Sequence, residues 1–308
     1  MPSSTYILCP GQGAQAVGMG KDFSDASPVA RDLFEQANAI AGFDLKALCF
    51  GGPEERLNQT DASQPAIYVT GVAAFRAAVA AGKIDPAAVT AYAGLSLGEY
   101  TALHLAGVVG FEDGLRLTLV RGRYMQEAAT ATPSGMVAVM GADDAGIARV
   151  CGEAAQGEVL VPANYNAPGQ VVVSGAIAAC ERALTVAEGL GYKAVALKVA
   201  GAFHSPLMQP AAERMAAELA KVTFNAPRAT VYSNVTAQPH GADGAAIKDL
   251  LVKQIVSPVR WEQTMVPLAA QADARFVELA PGRTLAGLMK RINRRLPIES
   301  FAGAEALQ

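Results

Sequence analysis

The chain has 308 residues, enough for one large domain with an insertion or for two unequal domains. With 51% hydrophobic residues and a formal net charge of -3, it has no global basic field to draw in nucleic acid or an anionic membrane. Its four cysteines lack CxxC spacing and its three histidines form no metal-ligand cluster, so the thiols read as reduced and structural, in a cytoplasmic protein.

The N-terminal stretch MPSSTYILCPGQG has no basic segment ahead of its short apolar run and does not read as a signal peptide. TYILC predicts a strand, ARDLFEQANAIA a helix, and a long helix follows from about 64 to 81. Arg76 interrupts the apolar run AIYVTGVAAFRAAVAAG, which makes that helix a buried one rather than a membrane span. VTAYAG predicts a second strand, with another helix after Ser96. This alternation argues for a parallel sheet covered by helices. From about 135 the rhythm changes. GMVAVMG, EVLVPANY, GQVVVSG and YKAVALKVA read as strands, DDAGIARVCGEAA and AIAACERALTVAEGLG as helices, in the order βαββαβ of a ferredoxin-like unit. After 200 helices return, with strands near ATVYSN and ARFVELA. The predicted fold class is therefore α/β: a large parallel-sheet domain formed by 1–130 and 200–308, with a small ferredoxin-like domain, 131–199, inserted in it.

The point where VTAYAG meets the next helix reads Gly94-Leu95-Ser96-Leu97-Gly98, which matches G-x-S-x-G, a sharp strand-to-helix turn that exposes a serine hydroxyl. Glycines suit a turn too tight for side chains, and the N–H groups at the helix start can hold a developing oxyanion. Ser96 with Glu99 also fits S-x-x-E, a helix capping box, although capping alone does not call for both glycines.

A serine nucleophile needs a base. His104 lies on the same helix, ~12 Å away by helical rise, and cannot reach. His240, in TAQPHGADG, reads as a solvated loop histidine. His204, in VAGAFHSPLM, stands between a predicted strand and a helix whose N-cap and first turn are Ser205 and Pro206. Pro210 would interrupt that helix and predicts a bend or a late start. On the helix FEDGLRLTLVRGRYMQEA, Arg121 shares a stripe with Leu117 and Met125. Its burial requires an ion pair, an escape to the surface, or a bound carboxylate gripped by the guanidinium fork. Gly11-x-Gly13-x-x-Ala16 loosely fits a dinucleotide fingerprint, but the acidic residue expected about twenty positions on falls to Asp32 or Glu35, inside a helical segment.

Taken together, PGQGAQ at 10–15, GLSLGEYTAL around Ser96, RGRYMQEA at 121–128, NYNAPGQVVVSG at 164–175, GAFHSP at 201–206, KQIVSPVRW at 253–261 and ELAPGRTLAGLMKR at 278–291 resemble the malonyl-CoA:acyl carrier protein transacylases in order and spacing. The resemblance covers nearly the whole chain. It implies an α/β hydrolase-like large domain and a ping-pong acyl transfer in which Ser96 takes the malonyl group, His204 accepts its proton and the phosphopantetheine thiol of acyl carrier protein receives the acyl group. It further implies that the Gln254 backbone carbonyl orients His204, that Gln12 and the N–H of Leu97 form the oxyanion hole, that Arg121 grips the malonyl carboxylate, and that Asn164 and Phe203 contact substrate. The Phe203 ring would disfavour a 2-methyl branch by ~1–3 kcal/mol. Malonyl-CoA is thus the expected substrate and holo-acyl carrier protein the partner, with no bound cofactor, no metal, no nucleic acid or membrane, and a monomeric state. The family usually has histidine where this chain has Leu95, which puts rate and pH profile in question more than reaction type. Lys290, Arg291, Arg294 and Arg295, in MKRINRRLP, offer a docking patch for an acidic carrier, or simply cations at a helix end.

Overall fold

The computed structural model describes residues 4–308, so the first three residues of the segment read for a leader lie outside it. The described residues hold strands β1 (Ser4–Cys9), β2 (Val89–Gly94), β3 (Ser134–Met140), β4 (Leu160–Ala167), β5 (Gln170–Ala176), β6 (Lys193–Ala196), β7 (Thr230–Val231), β8 (Ala274–Leu279) and β9 (Ile298–Phe301). They form two sheets, one parallel in the order β7-β2-β1-β8-β9 and one antiparallel in the order β4-β5-β3-β6. The mixed α/β class is as expected from the sequence.

The centre of the parallel sheet is β1, whose Ile7, Leu8 and Cys9 are fully buried, as the continuous apolar run of a strand covered on both faces requires. The long helix spans Thr60–Ala80 and is buried over most of its length, with Arg76 exposed. It packs against the helix Phe111–Ala131, where a Cβ on Gly122 would stand 2.6 Å from the Thr60 carbonyl oxygen. Among the described residues no helix is long and apolar enough to cross a membrane.

In the antiparallel layer the period of two divides the side chains. Val137, Val139, Val171 and Val173 pack under the helices Asp144–Ala155 and Ile177–Gly189, whereas Met136, Ala163 and Val172 join the core that also holds Phe203. The edge strand β4 is tied to the large layer, since Tyr165 N–H donates to the Val259 carbonyl (2.9 Å) and Val259 N–H to that of Ala163 (2.8 Å).

Some elements differ from expectation. ATVYSN supplies only the two residues of β7, YKAVALKVA only the four of β6, and β9 and the short helices Leu45–Gly51 and Glu54–Leu57 have no counterpart in the sequence reading. Pro210 produces the late start: a 3-10 turn, Pro206–Met208, is capped by Ser205, and the helix Gln209–Ala220 begins with Pro210 in its first turn, where the missing N–H has no intrahelical partner to lose.

Candidate active site

β2 ends at Gly94 and the helix Gly98–Leu105 starts four residues later, so the chain reverses within one tight turn. Ser96 sits there with φ 54°, in the left-handed region that side chains rarely adopt. The flanking glycines have a steric reason. A Cβ at Gly94 would lie 1.9 Å from the Gly98 carbonyl carbon, and one at Gly98 2.0 Å from the Cys9 oxygen. The turn is clamped by Asn234, whose Oδ1 accepts from Ser96 N–H (2.6 Å) and whose Nδ2 donates to the Gly94 carbonyl (2.7 Å). Leu97, not Ser96, is the N-cap, and no side chain caps the helix, which removes the capping-box reading.

The serine hydroxyl is 2.8 Å from His204 Nε2, and His204 Nδ1 is 2.8 Å from the backbone oxygen of Gln254. A carbonyl oxygen only accepts, so Nδ1 carries the ring proton and Nε2 is left to accept from Ser96. His204 has φ 58° and is 3% exposed. Burial first, and then the nearby Arg121 charge, push its pKa down from 6.5 to about 4, so the imidazole is neutral at physiological pH.

Arg121, 1% exposed, has neither escaped to the surface nor found a carboxylate among the described residues. Its guanidinium donates to Gln64 Oε1 (2.7 Å), Gln254 Oε1 (3.0 Å) and Ser96 Oγ (3.1 Å), and it lies 5.4 Å from the centre of the Tyr100 ring. Its Nε has no partner among the described residues. Burial lowers its pKa, but a guanidinium remains a cation. The structural ion pair that the sequence left open is absent among the described residues.

Ser96 and His204 open into a cleft of about 520 Å³ whose lining also includes Gln12, Gln64, Asn164 and Phe203. Gln12 follows β1, with its side-chain amide on Thr60 Oγ1 (3.3 Å). The N–H groups of Gln12 and Leu97 meet no acceptor among the described residues. Asn164 lies on β4 and Phe203 on the segment leaving β6. Leu95 also lines the cleft. A Cβ on Gly11 would be 2.2 Å from the Leu95 oxygen, so this glycine serves close approach to the turn that carries Ser96. No helix opens between Gly11 and Ala16, the next beginning at Lys21, which removes the dinucleotide reading. Thr284 and Leu288 of the helix Thr284–Ile292 line the mouth, and its C-terminal end carries exposed Lys290 and Arg291, followed by exposed Arg294 and Arg295. None of these four is ion-paired among the described residues.

Two histidines lie elsewhere. His104 Nδ1 bonds the Val109 oxygen (3.0 Å). His240 is not a solvated loop residue as its turn-rich surroundings predict: it is buried, with Nε2 2.7 Å from Glu99 Oε1. The sequence reading missed Asn234 and Gln64 and gave Glu99 only a capping role, because their partners are distant along the chain. Among the described residues no group of three His, Cys, Asp or Glu could hold a metal.

Residues 5–303 match the family described as the acyl transferase domain. The chain belongs to this family. It is 45% identical to the malonyl CoA-acyl carrier protein transacylase of Escherichia coli K12 over 93% of this chain and 92% of that one. In structure this acyl transferase is similar to the malonyl CoA-acyl carrier protein transacylase of Coxiella burnetii, with TM-score 0.94 and 39% identity over 100% of this chain and 96% of the other. It is also similar to a malonyl-transacylase solved in complex with its type II PKS acyl-carrier protein, with TM-score 0.93 and 38% identity over 99% and 98% of the two chains. The parallel sheet and the separate antiparallel sheet of this acyl transferase are thus those of its solved relatives.

Proposed function

We propose that the chain moves a malonyl group from malonyl-CoA to the phosphopantetheine thiol of acyl carrier protein through a malonyl ester on Ser96, as an [acyl-carrier-protein] S-malonyltransferase. The observation that carries this reading is Arg121: a buried cation without a carboxylate partner among the described residues, in contact with the nucleophile itself. A substrate with a free carboxylate supplies that partner, and a neutral acyl group does not.

In the first half-reaction Ser96 Oγ attacks the thioester carbon while His204 Nε2 takes its proton. The oxyanion falls to the N–H groups of Gln12 and Leu97, worth ~3 kcal/mol per donor in the transition state. Collapse breaks the C–S bond, and the departing CoA thiolate recovers the proton from His204. The second half runs this in reverse with the carrier thiol, which gives its proton to His204, attacks the ester carbon and releases Ser96. Asn164 and Phe203 wall the acyl site, and the cations from Lys290 to Arg295 meet the acidic carrier beside the mouth. In the same reading the chain divides into a catalytic domain, 1–130 and 200–308, and a small domain, 131–199, and acts as a cytoplasmic monomer with no bound cofactor, supplying extender units for fatty acid or polyketide synthesis.

Intact mass spectrometry after incubation with malonyl-CoA tests it. The expected result is a malonyl adduct absent from Ser96→Ala and discharged by holo-carrier protein. Discharge by water alone would make the protein a thioester hydrolase, and no adduct would remove the proposal.

A further inference from the structure

Behind the nucleophile turn lies a carboxylate that the acyl-transfer steps do not use. Glu99 is fully buried, with no surface exposure, on the first turn of the helix that follows Ser96. Its Oε2 accepts from the Gln254 side-chain Nε2 (2.7 Å) and from the Asn234 backbone N–H (3.0 Å), and its Oε1 meets His240 Nε2 (2.7 Å). A buried carboxylate is retained at a desolvation penalty, which three donors offset here.

Each of the first two donors touches the reacting groups. Gln254 is the residue whose backbone oxygen orients His204 and whose Oε1 accepts from Arg121. Asn234 is the residue whose side chain grips both ends of the strained turn at Ser96. Gln254 Nε2 also donates to the Ser96 carbonyl (3.0 Å). The carboxamide of Gln254 has two faces, and only one orientation puts oxygen toward the guanidinium. A carboxylate has no proton to give, so Glu99 accepts only and, with the Ser96 carbonyl, holds the Gln254 NH2 on its own side and the oxygen on the side of Arg121.

We propose that Glu99, anchored by His240, is a positioning residue that sets the Gln254 carboxamide and so aims Arg121 at the acyl carboxylate. The proposal deepens the malonyl-transfer reading and rests on it. In Glu99→Gln the new amide has similar size but can donate as well as accept, so the Gln254 NH2 loses its charged acceptor, is held only by the Ser96 carbonyl and Asn234 Oδ1, and its oxygen is less firmly set against the guanidinium.

The test is the ratio of kcat/KM for malonyl-CoA to that for acetyl-CoA in serine loading. In Glu99→Gln the malonyl value falls about 10- to 100-fold, the scale of one lost charged hydrogen bond, and the acetyl value falls less, so the ratio drops. Gln254→Met removes the carboxamide but keeps the backbone carbonyl, and adding Glu99→Gln to it costs no further activity toward malonyl-CoA. A merely structural Glu99 would lower both substrates equally and would add to Gln254→Met; either result overturns the proposal. Should Glu99→Gln not fold, the ratio is read in His240→Gln, where a drop supports the anchor and an unchanged ratio overturns it. Failure of the wild-type chain to take up malonate at Ser96 is a separate result that strikes the malonyl-transfer reading instead.

Discussion

In the proposed transfer His204 activates the hydroxyl of Ser96, and its surroundings decide over which pH range it can. Held out of water beside a guanidinium, it stays neutral down to about pH 4 instead of 6.5. The rate of Ser96 loading from malonyl-CoA, followed by rapid quench, is therefore expected to stay level as the pH drops from neutral through 6.5 and to fall only toward about 4; a midpoint at 6.5 would show an imidazole in contact with water. The linked stability has the same window. Its folded pKa lies below that of the unfolded chain, so the unfolded state binds the proton first, and stability present above 6.5 is lost as the pH falls toward about 4. His104, which burial also pushes down to about 4, adds to this loss. At this scale the sequence named Ser96, His204 and Arg121, because motif and local pattern single them out. Asn234 and His240 stayed hidden because each lies well over a hundred positions from the group it holds, at Ser96 and Glu99, and no local pattern encodes such a contact.

The element that matters most is the turn between β2 and the helix Gly98–Leu105. Gly98→Ala drives its Cβ to 2.0 Å from the Cys9 oxygen, an overlap with backbone that no rotamer change relieves. We expect a loss of at least about 4 kcal/mol in urea unfolding, or no soluble protein. Gly152→Ala is the matched control: the position is exposed in the helix Asp144–Ala155, nothing stands near its Cβ, and the change should stabilise by ~0.5–1 kcal/mol. A similar effect at both sites would contradict the steric account. Elements with a continuous apolar run or a clear alternation were legible: β1, β2, the helix Thr60–Ala80 and the βαββαβ run lie where the pattern put them. β9 was not, and β7 was placed but read too long, since two to four residues at the margins of a sheet carry little local signal and are extended only because a neighbouring strand pairs with them.

Across the whole molecule the cleft opens beside a basic helix end. Reversing Lys290, Arg291, Arg294 and Arg295 to glutamate should raise the KM for carrier protein severalfold, more so at low salt, while loading from malonyl-CoA stays intact. Equal loss of both half-reactions would remove the docking role. The class of this architecture could be read from the order of elements, but the way its layers meet could not. The meeting depends on the Asn164–Val259 bridge and on Phe203 packing with Met136 and Val172, contacts between segments far apart in the chain. The hydroxyl is delivered by the parallel layer, while part of the cleft wall, Met136, Asn164 and Val172, is delivered by the antiparallel one. In the proposed transfer that part of the wall can be varied apart from the turn, and a bulkier acyl group can be sought by redesigning the antiparallel strands while the strained turn, its glycines and Arg121 stay untouched.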